Sequence, residues 1–368
     1  MDTLTRIRFR PELREFAEYK PVTPPETLAA QLGIDVRQIV KLDANENPYG
    51  APPAVAAALA ALDPSRYPDA DARELRAALA AYTGQPVERI VCGNGSDELL
   101  ELLCRLFLTP DDTAITTEPT FGMYAIAARQ HGARVVDVPR DPETFRVDPA
   151  AVLAACDDST RLIFLCAPNN PTGTPLPESD LRAILDAAPC VVVVDEAYAE
   201  FAGTNYLDLV DEYPHLIVLR TLSKFAGLAG LRLGYGIFTP EIAAALWKVK
   251  APYNLNLAAQ VAGVAALGDL PWLRNKAARI LAGRAVLEAG LAALPGVRVY
   301  PSAANFLLLR MQDGPAAADA VYEGLRQRGI LIRRYGHGPL LGCLRVSVGT
   351  EEQNAILLKE VERLCRTW

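Results

Sequence analysis

The chain has 368 residues, of which 51% are hydrophobic and 22% charged, and its net charge is −7 at pH 7. This composition is typical of a globular protein large enough for two domains, and the scattered acidic residues argue against nucleic acid or an anionic membrane as the main partner. No apolar run approaches the length of a membrane span, and the charged N-terminal segment is unlike a signal peptide, so we expect a cytoplasmic protein.

The predicted elements begin after an arm at residues 1–44, which contains Pro21, Pro24 and Pro25 and favours one short helix. From residue 45 to 257, short apolar strands alternate with amphipathic helices. The strands are RIVC (89–92), TAITT (113–117), RLIFLC (161–166), CVVVVD (190–195) and HLIVLR (215–220). Near-continuous Val, Ile and Leu between helices predicts an α/β domain with a mostly parallel sheet, covered by helices on both faces.

An Ala-rich helical region follows from about Ala258 to Leu294 and is predicted to bridge to a second unit. That unit reads VRVYPS, NFLLLRM, a helix near 315–328, ILIRRY, CLRVSVG and a final helix. We therefore expect a smaller α+β domain at residues 258–368, with the arm packed against it. The seven cysteines contain no CxxC pair and the three histidines have no metal-like spacing, which predicts reduced thiols and no metal site.

Two glycine-containing turns follow predicted strands, where a parallel sheet places its ligands. In GNGSDE, a strand runs into Gly95 and Ser96 before a helix that opens at Asp97, which predicts an anion cradle of helix N-terminal amides. A plain glycine turn with a helix cap explains that pattern at least as often. In PNNPTG, Asn169 and Asn170 project from a proline-rich loop, either as part of a turn motif or as amides that face a ligand ring.

Two further strand ends carry charged residues. Asp195 ends a strand of four valines and requires a cationic partner, either a distant arginine or a ligand nitrogen. Lys224 follows another strand in an apolar segment, where its pKa would be low enough for a Schiff base, although most lysines are solvated surface residues. Arg232 is suited to a phosphate. A ligand with a phosphate, a basic ring nitrogen and an aldehyde satisfies all these groups, and pyridoxal phosphate has all three.

These residues carry a resemblance that covers nearly the whole chain. The chain is similar to the fold-type I pyridoxal-phosphate aminotransferases, and most similar to the histidinol-phosphate aminotransferase family. The matching motifs, in the family's order, are LDANENPYG (42–50), RYPD (66–69), GNGSDE (93–98), EPTFGMY (118–124), PNNPTG (168–173), DEAY (195–198), TLSKFAGLAGLRLGYG (221–236) and CLRVSVG (343–349). The resemblance implies a large domain with a seven-stranded type of sheet and a homodimer with shared active sites.

The resemblance also implies a role for each matching residue. Lys224 matches the Schiff-base lysine and proton carrier, Asp195 the partner of the ring nitrogen, and Tyr198 and Asn170 the donors to the cofactor's phenolic oxygen. Phe121 matches the ring-stacking aromatic residue, which is commonly a tyrosine in the family. The residues assigned to the cofactor phosphate are Gly95, Ser96, Asp97, Thr221, Ser223, Arg232 and, from the neighbouring subunit, Tyr67.

For the substrate, the resemblance implies transamination of L-histidinol phosphate with 2-oxoglutarate in histidine biosynthesis. Arg345 matches a carboxylate-binding arginine and Arg333 a second arginine for the substrate phosphate, with Tyr19 and Asn45 completing the site. Arg334 adjoins Arg333, so which of the two faces the substrate stays open, and a solvated edge strand would explain both. The alternatives are an aromatic aminotransferase for phenylalanine or tyrosine, a threonine-phosphate decarboxylase on the same fold and, most remotely, a non-enzymatic cofactor-binding regulator.

Overall fold

The computed structural model describes residues 22–366, which form helices around three sheets. The strands are β1 (Val40–Lys41), β2 (Ile90–Asn94), β3 (Thr113–Thr116), β4 (Arg134–Asp137), β5 (Thr160–Cys166), β6 (Val191–Asp195), β7 (Leu216–Thr221), β8 (Leu233–Ile237), β9 (Val297–Tyr300), β10 (Phe306–Met311), β11 (Ile330–Leu331), β12 (Arg333–Arg334) and β13 (Cys343–Ser347). The α-helices are α1 (Pro25–Leu32), α2 (Pro53–Ala60), α3 (Arg73–Thr83), α4 (Ser96–Phe107), α5 (Met123–Gln130), α6 (Pro149–Ala154), α7 (Glu178–Leu185), α8 (Ala199–Ala202), α9 (Leu209–Glu212), α10 (Pro240–Val249), α11 (Leu257–Leu267), α12 (Leu270–Ala292), α13 (Pro315–Arg326) and α14 (Glu351–Cys365).

The largest sheet has seven strands in the order β2-β8-β7-β6-β5-β3-β4. β8 runs antiparallel to both of its neighbours, and the other neighbouring pairs are parallel. The prediction of an α/β fold with a mostly parallel, helix-covered sheet is therefore confirmed. In such a sheet the carboxyl ends of the parallel strands meet at one edge, where ligands bind.

Both faces of this sheet are buried, which is why its strands read as continuous apolar runs. In β6, Val192 and Val194 join one hydrophobic core, whereas Val193 joins the core on the opposite face. The branched side chains therefore pack on each side of the strand in turn. The carboxyl end of β6 lies inside the protein, so Asp195 is a charged group placed in a nearly water-free setting.

A four-stranded antiparallel sheet, β12-β13-β10-β9, forms the second unit together with α12, α13 and α14. The long helix α12 approaches α14 closely because glycines of α12 face α14: a Cβ at Gly290 would lie 2.8 Å from the Leu358 side chain. β1 pairs in parallel with β11, so the described end of the predicted arm joins this unit. The two-domain division stays a proposal; because α11 packs on α2 and α3, we propose that it links the two units.

Among residues 22–366, no helix combines the length and the apolar character that crossing a bilayer requires.

Candidate active site

The candidate site lies at the carboxyl edge of the large sheet. Asp195 is the last residue of β6, Asn170 follows β5 by four residues, and Lys224 follows β7 by three. Arg345, from β13 of the second sheet, reaches the same place and donates from Nη1 to Oδ1 of Asn170 at 2.6 Å. The structure therefore brings together residues from both units that the sequence places far apart.

Lys224 is a partly buried amine whose Nζ donates to the carbonyl oxygen of Ala44 at 2.9 Å. Burial and, to a smaller extent, the positive charge of Arg345 together lower its pKa from 10.5 to about 8. A lysine with a pKa of about 8 is neutral in about a tenth of molecules at pH 7, far more than an ordinary lysine. It can therefore act as a nucleophile or accept a proton.

Asp195 is a buried carboxylate, 3% exposed, that is held by two hydrogen bonds. Tyr124 donates its hydroxyl to Oδ2 at 2.8 Å, and the backbone N–H of Ala197 donates to Oδ1 at 3.0 Å. Burial raises its pKa from 3.8 to about 6, while these two hydrogen bonds act in the opposite direction. Within residues 22–366 no lysine or arginine forms an ion pair with it. The site thus retains a negative charge that suits a cationic ring nitrogen.

The N-terminus of α4 faces the guanidinium of Arg232, whose Nη2 lies 3.1 Å from Oδ2 of Asp97. Gly95 precedes α4 with φ 81°, and a Cβ there would lie 2.7 Å from Nη2 of Arg232. At Gly234 on β8, a Cβ would lie 2.2 Å from the backbone nitrogen of Ser96. Only glycine permits this approach, so the backbone amides at the start of α4 and the arginine form one corner whose donors suit an anion.

The turn between β7 and β8 supports that corner. Thr221 donates its hydroxyl to the carbonyl oxygen of Leu233 at 3.0 Å and accepts the N–H of Ser223 at 3.1 Å. Arg232 has φ 56°, a left-handed conformation, and its Nη1 lies 3.5 Å from Oγ of Ser223. In this arrangement the Thr221 hydroxyl serves the turn, while Ser223 and Arg232 lie beside each other.

The segment LDAN is a second organising element of the site. Arg345 donates from Nη2 to the carbonyl oxygen of Asp43 at 2.7 Å, one residue before the carbonyl that receives Lys224. Asn45 has φ 54° and donates from Nδ2 to the hydroxyl of Tyr198 at 3.0 Å. The family resemblance assigned Asn45 to the substrate, but no sequence motif indicated that the backbone carbonyls of Asp43 and Ala44 accept hydrogen bonds from Arg345 and Lys224. No side-chain pattern points to a carbonyl.

Arg345 is 8% exposed and lies over the ring of Phe306, with 5.3 Å between the guanidinium carbon and the ring centroid. Among the described residues, no group accepts a hydrogen bond from its buried Nε. β12 pairs with β13 so that Arg333 stands opposite Arg345, and directly opposite residues share one face of a sheet. Arg334 is exposed and forms an ion pair with Asp319 at 2.7 Å.

The remaining predicted residues occupy different settings. Phe121 is partly buried, and its ring meets Tyr124 edge-on with 5.6 Å between centroids. Tyr67 is 81% exposed and stacks on Tyr253 with 4.7 Å between the ring centroids. Tyr19 lies outside the described residues.

The chain is similar to known proteins over nearly its whole length. Residues 37–361 match the family model described as aminotransferase class I and II. The chain is 53% identical to the histidinol-phosphate aminotransferase of Roseiflexus castenholzii, covering 95% of this chain and 96% of that protein. It is 43% identical to histidinol-phosphate aminotransferase 1, chloroplastic, of Arabidopsis thaliana, covering 95% of this chain and 84% of that protein.

Solved structures resemble the fold over most of its length. The histidinol-phosphate aminotransferase of Sinorhizobium meliloti, crystallised in complex with pyridoxal-5'-phosphate, superposes with a TM-score of 0.89 at 30% identity over 98% of both chains. The L-threonine-O-3-phosphate decarboxylase of Porphyromonas gingivalis superposes with a TM-score of 0.78 at 22% identity, covering 89% of this chain and 100% of that chain. The latter likeness concerns the fold alone.

Proposed function

The chain belongs to the class I and II aminotransferases, and on that premise we propose that it transfers the amino group of L-histidinol phosphate to 2-oxoglutarate, a step of histidine biosynthesis. One observation carries the proposal. A lysine with a lowered pKa stands at one sheet edge with a buried carboxylate that forms no ion pair among residues 22–366, and Arg345 of the second unit reaches the same edge. The 53% identity to a histidinol-phosphate aminotransferase supports the choice of substrate.

We propose pyridoxal phosphate as the cofactor because the residues present fit its groups. Asp195 would hold the ring nitrogen, the corner formed by α4 and Arg232 would hold the phosphate, and Phe121 would lie against the ring. Tyr198 and Asn170 would contact the phenolic oxygen. When bound, the cofactor supplies an aldehyde that condenses with amines and a ring that withdraws electrons from the reacting carbon.

The chain's own residues would then manage the protons and the charges. Lys224, neutral in part because burial lowers its pKa, would take the proton from the substrate carbon and deliver it to the cofactor carbon within the same half-reaction, and the second half would run these two transfers in reverse. Its hydrogen bond to Ala44 orients Nζ. Asp195 stays ionised above its pKa of about 6 and thereby keeps a proton on the ring nitrogen.

Substrate binding is assigned to the two arginines of the small sheet. A phosphate offers three acceptor oxygens, which suits both Arg333 and Arg345 because the two stand opposite each other on β12 and β13. The shorter carboxylate of 2-oxoglutarate would use Arg345, whose buried Nε has no acceptor within residues 22–366. One site would therefore accept a phosphorylated amine and an oxo acid in alternation.

We further propose a homodimer in which Tyr67 reaches the cofactor phosphate of the neighbouring subunit. The support is an exposed aromatic pair, Tyr67 and Tyr253, which are 81% and 46% exposed although they stack on each other. Large aromatic rings left in water are typical of an interaction surface.

The test of the proposed function is a steady-state comparison of histidinol phosphate and phenylalanine as amino donors, each with 2-oxoglutarate. We expect glutamate to form with a kcat/KM at least tenfold higher for histidinol phosphate. A preference for phenylalanine would make the protein an aromatic aminotransferase. Release of carbon dioxide from threonine phosphate without glutamate would make it a decarboxylase, and either result would overturn the proposal.

A further inference from the structure

Tyr124 is a buried residue of α5 to which the sequence motifs assigned no role. It is the second residue of the helix and has no solvent exposure. Its hydroxyl donates to Oδ2 of Asp195 at 2.8 Å, across 71 residues of sequence. A buried hydroxyl that faces a buried carboxylate forms a charge-assisted hydrogen bond, which is stronger than a bond between neutral groups.

The ring of Tyr124 packs against two other aromatic side chains. It stacks on Phe164 of β5 with 5.3 Å between centroids and 5° between the planes. It also meets the ring of Phe121 in a T-shaped arrangement, with 5.6 Å between centroids and 82° between the planes. Tyr124 therefore contacts both the carboxylate assigned to the ring nitrogen and the aromatic residue assigned to the ring face.

We propose that Tyr124 is a positioning residue of the reaction: its hydroxyl fixes the Asp195 carboxylate and keeps it ionised, and its ring fixes Phe121. The role of Asp195 rests on the proposed function. Ala197 occupies Oδ1 and Tyr124 occupies Oδ2, so the carboxylate cannot rotate without losing a hydrogen bond. A fixed carboxylate can meet a ring nitrogen without reorganisation, which is the condition for strong electrostatic stabilisation.

The electrostatic environment of Asp195 supports this role. Burial raises its pKa to about 6, and the hydrogen bond from Tyr124 is the largest influence in the opposite direction. Burial also holds the pKa of Tyr124 well above 10, so the phenol stays protonated and donates. The groups that face Asp195 from the packed elements are Tyr124 of α5, Asp97 of α4, Cys166 of β5, Tyr198 at the start of α8 and Lys224 after β7.

The test compares Tyr124→Phe with Tyr235→Phe. The first variant removes only the hydroxyl and keeps the stacked ring. Tyr235 is equally buried, on β8 of the seven-stranded sheet that contains Asp195, but its hydroxyl lies near Arg220 instead of Asp195. In apoenzyme labelled with ¹³C-aspartate, the Asp195 carboxyl resonance is assigned by its absence in Asp195→Asn. We expect its pKa to rise by about one unit in Tyr124→Phe and to stay unchanged in Tyr235→Phe.

The loaded enzyme offers a second measurement. In Tyr124→Phe we expect the acidic limb of kcat/KM to move to higher pH by about one unit and kcat to fall about tenfold. The KM for 2-oxoglutarate should change little, because Tyr124 does not contact Arg345. An unchanged Asp195 titration in Tyr124→Phe, or an equal shift in Tyr235→Phe, would overturn the proposal.

Two controls keep the outcomes distinct. If Tyr124→Phe does not fold, ¹³Cζ-tyrosine spectra of the wild-type apoenzyme still decide: one tyrosine resonance must follow the Asp195 titration and lose that response in Asp195→Asn. Absence of such a resonance refutes the hydrogen bond. Full transamination by both Asp195→Asn and Lys224→Ala would instead defeat the proposed function, whatever Tyr124 does.

Discussion

Replacing Arg333 by alanine tests the assignment of the substrate phosphate. Arg333 stands opposite Arg345 in the β12–β13 pair, so both guanidinium groups belong to one face of the small sheet. The neighbouring Arg334 belongs to the other face, where it pairs with Asp319 and lies over the ring of Tyr322. The sequence thus provides a matched control: the same substitution, one residue away, on the same edge strand.

The magnitude follows from the contacts that a phosphate would lose. A hydrogen bond between charged groups contributes about 1.5–3 kcal/mol, which corresponds to a roughly 10- to 150-fold loss of kcat/KM. Arg333 is partly exposed, so solvent screening favours the lower end of that range, about tenfold. A phenylalanine carboxylate would rely on Arg345, and its kcat/KM should fall by about twofold or less.

The assay is steady-state transamination with 2-oxoglutarate, with histidinol phosphate and phenylalanine measured side by side for the wild type, Arg333→Ala and Arg334→Ala. We expect the histidinol phosphate reaction to weaken selectively in Arg333→Ala through a higher KM, and Arg334→Ala to behave like the wild type. A lower kcat/KM for histidinol phosphate in Arg334→Ala, with no change in Arg333→Ala, would show that Arg334 and not Arg333 points towards the substrate. No effect in either variant would remove the phosphate-binding role of β12.

The remaining predictions concern the catalytic groups and the dimer. Lys224→Ala should abolish turnover and the visible absorbance that arises from the covalent bond between this lysine and the cofactor; a rate equal to the wild type would reject the assignment. Asp195→Asn should keep the fold and much of the cofactor but lose at least a hundredfold in kcat, since a buried charge interaction is worth several kcal/mol; near-normal turnover would make the carboxylate structural only. Folding lowers the pKa of Lys224 from 10.5 to about 8. Between pH 8 and 10.5 the folded apoenzyme therefore binds fewer protons than the unfolded chain. The stability of the wild type relative to Lys224→Met should therefore rise from pH 8 to 10.5 in urea unfolding, and a flat difference would contradict the pKa shift. Mixed subunits of Tyr67→Ala and Lys224→Ala should regain part of the activity, because one site per dimer is intact; no recovery after demonstrated subunit exchange would mean that Tyr67 serves its own subunit.

The fold class was predictable because both faces of the large sheet are buried. Consecutive valines, as in β6, can all be buried only when helices cover both faces of the sheet. The apolar runs between helices therefore predicted the architecture. The charged residues at the strand ends could also be singled out as candidate site residues from the sequence. Asp195 and Lys224 each interrupt an apolar segment with a charge, and burial of such a charge requires a partner or a shifted pKa.

The local sequence could not indicate which groups meet across the fold. Lys224 donates to a carbonyl 180 residues away, and Asp195 accepts from a tyrosine 71 residues away. Neither contact has a spacing that a motif could reveal, since backbone carbonyls are identical in every residue and Tyr124 reads as one more aromatic residue of a helix. Such contacts depend on how helices and strands pack, which many residues decide together.

For Arg333 and Arg334, the sequence and the tertiary structure each supply a different part of the answer. The sequence by itself determined that two cations lie on a short strand near the site, but it left open which of them faces the substrate. In the tertiary structure the register with β13 sets Arg333 opposite Arg345 and turns Arg334 towards Asp319, which supports the proposal that Arg333 faces the substrate. Side chains alternate between the two faces of a strand, so a register shift of one residue would exchange these two roles without any change in sequence.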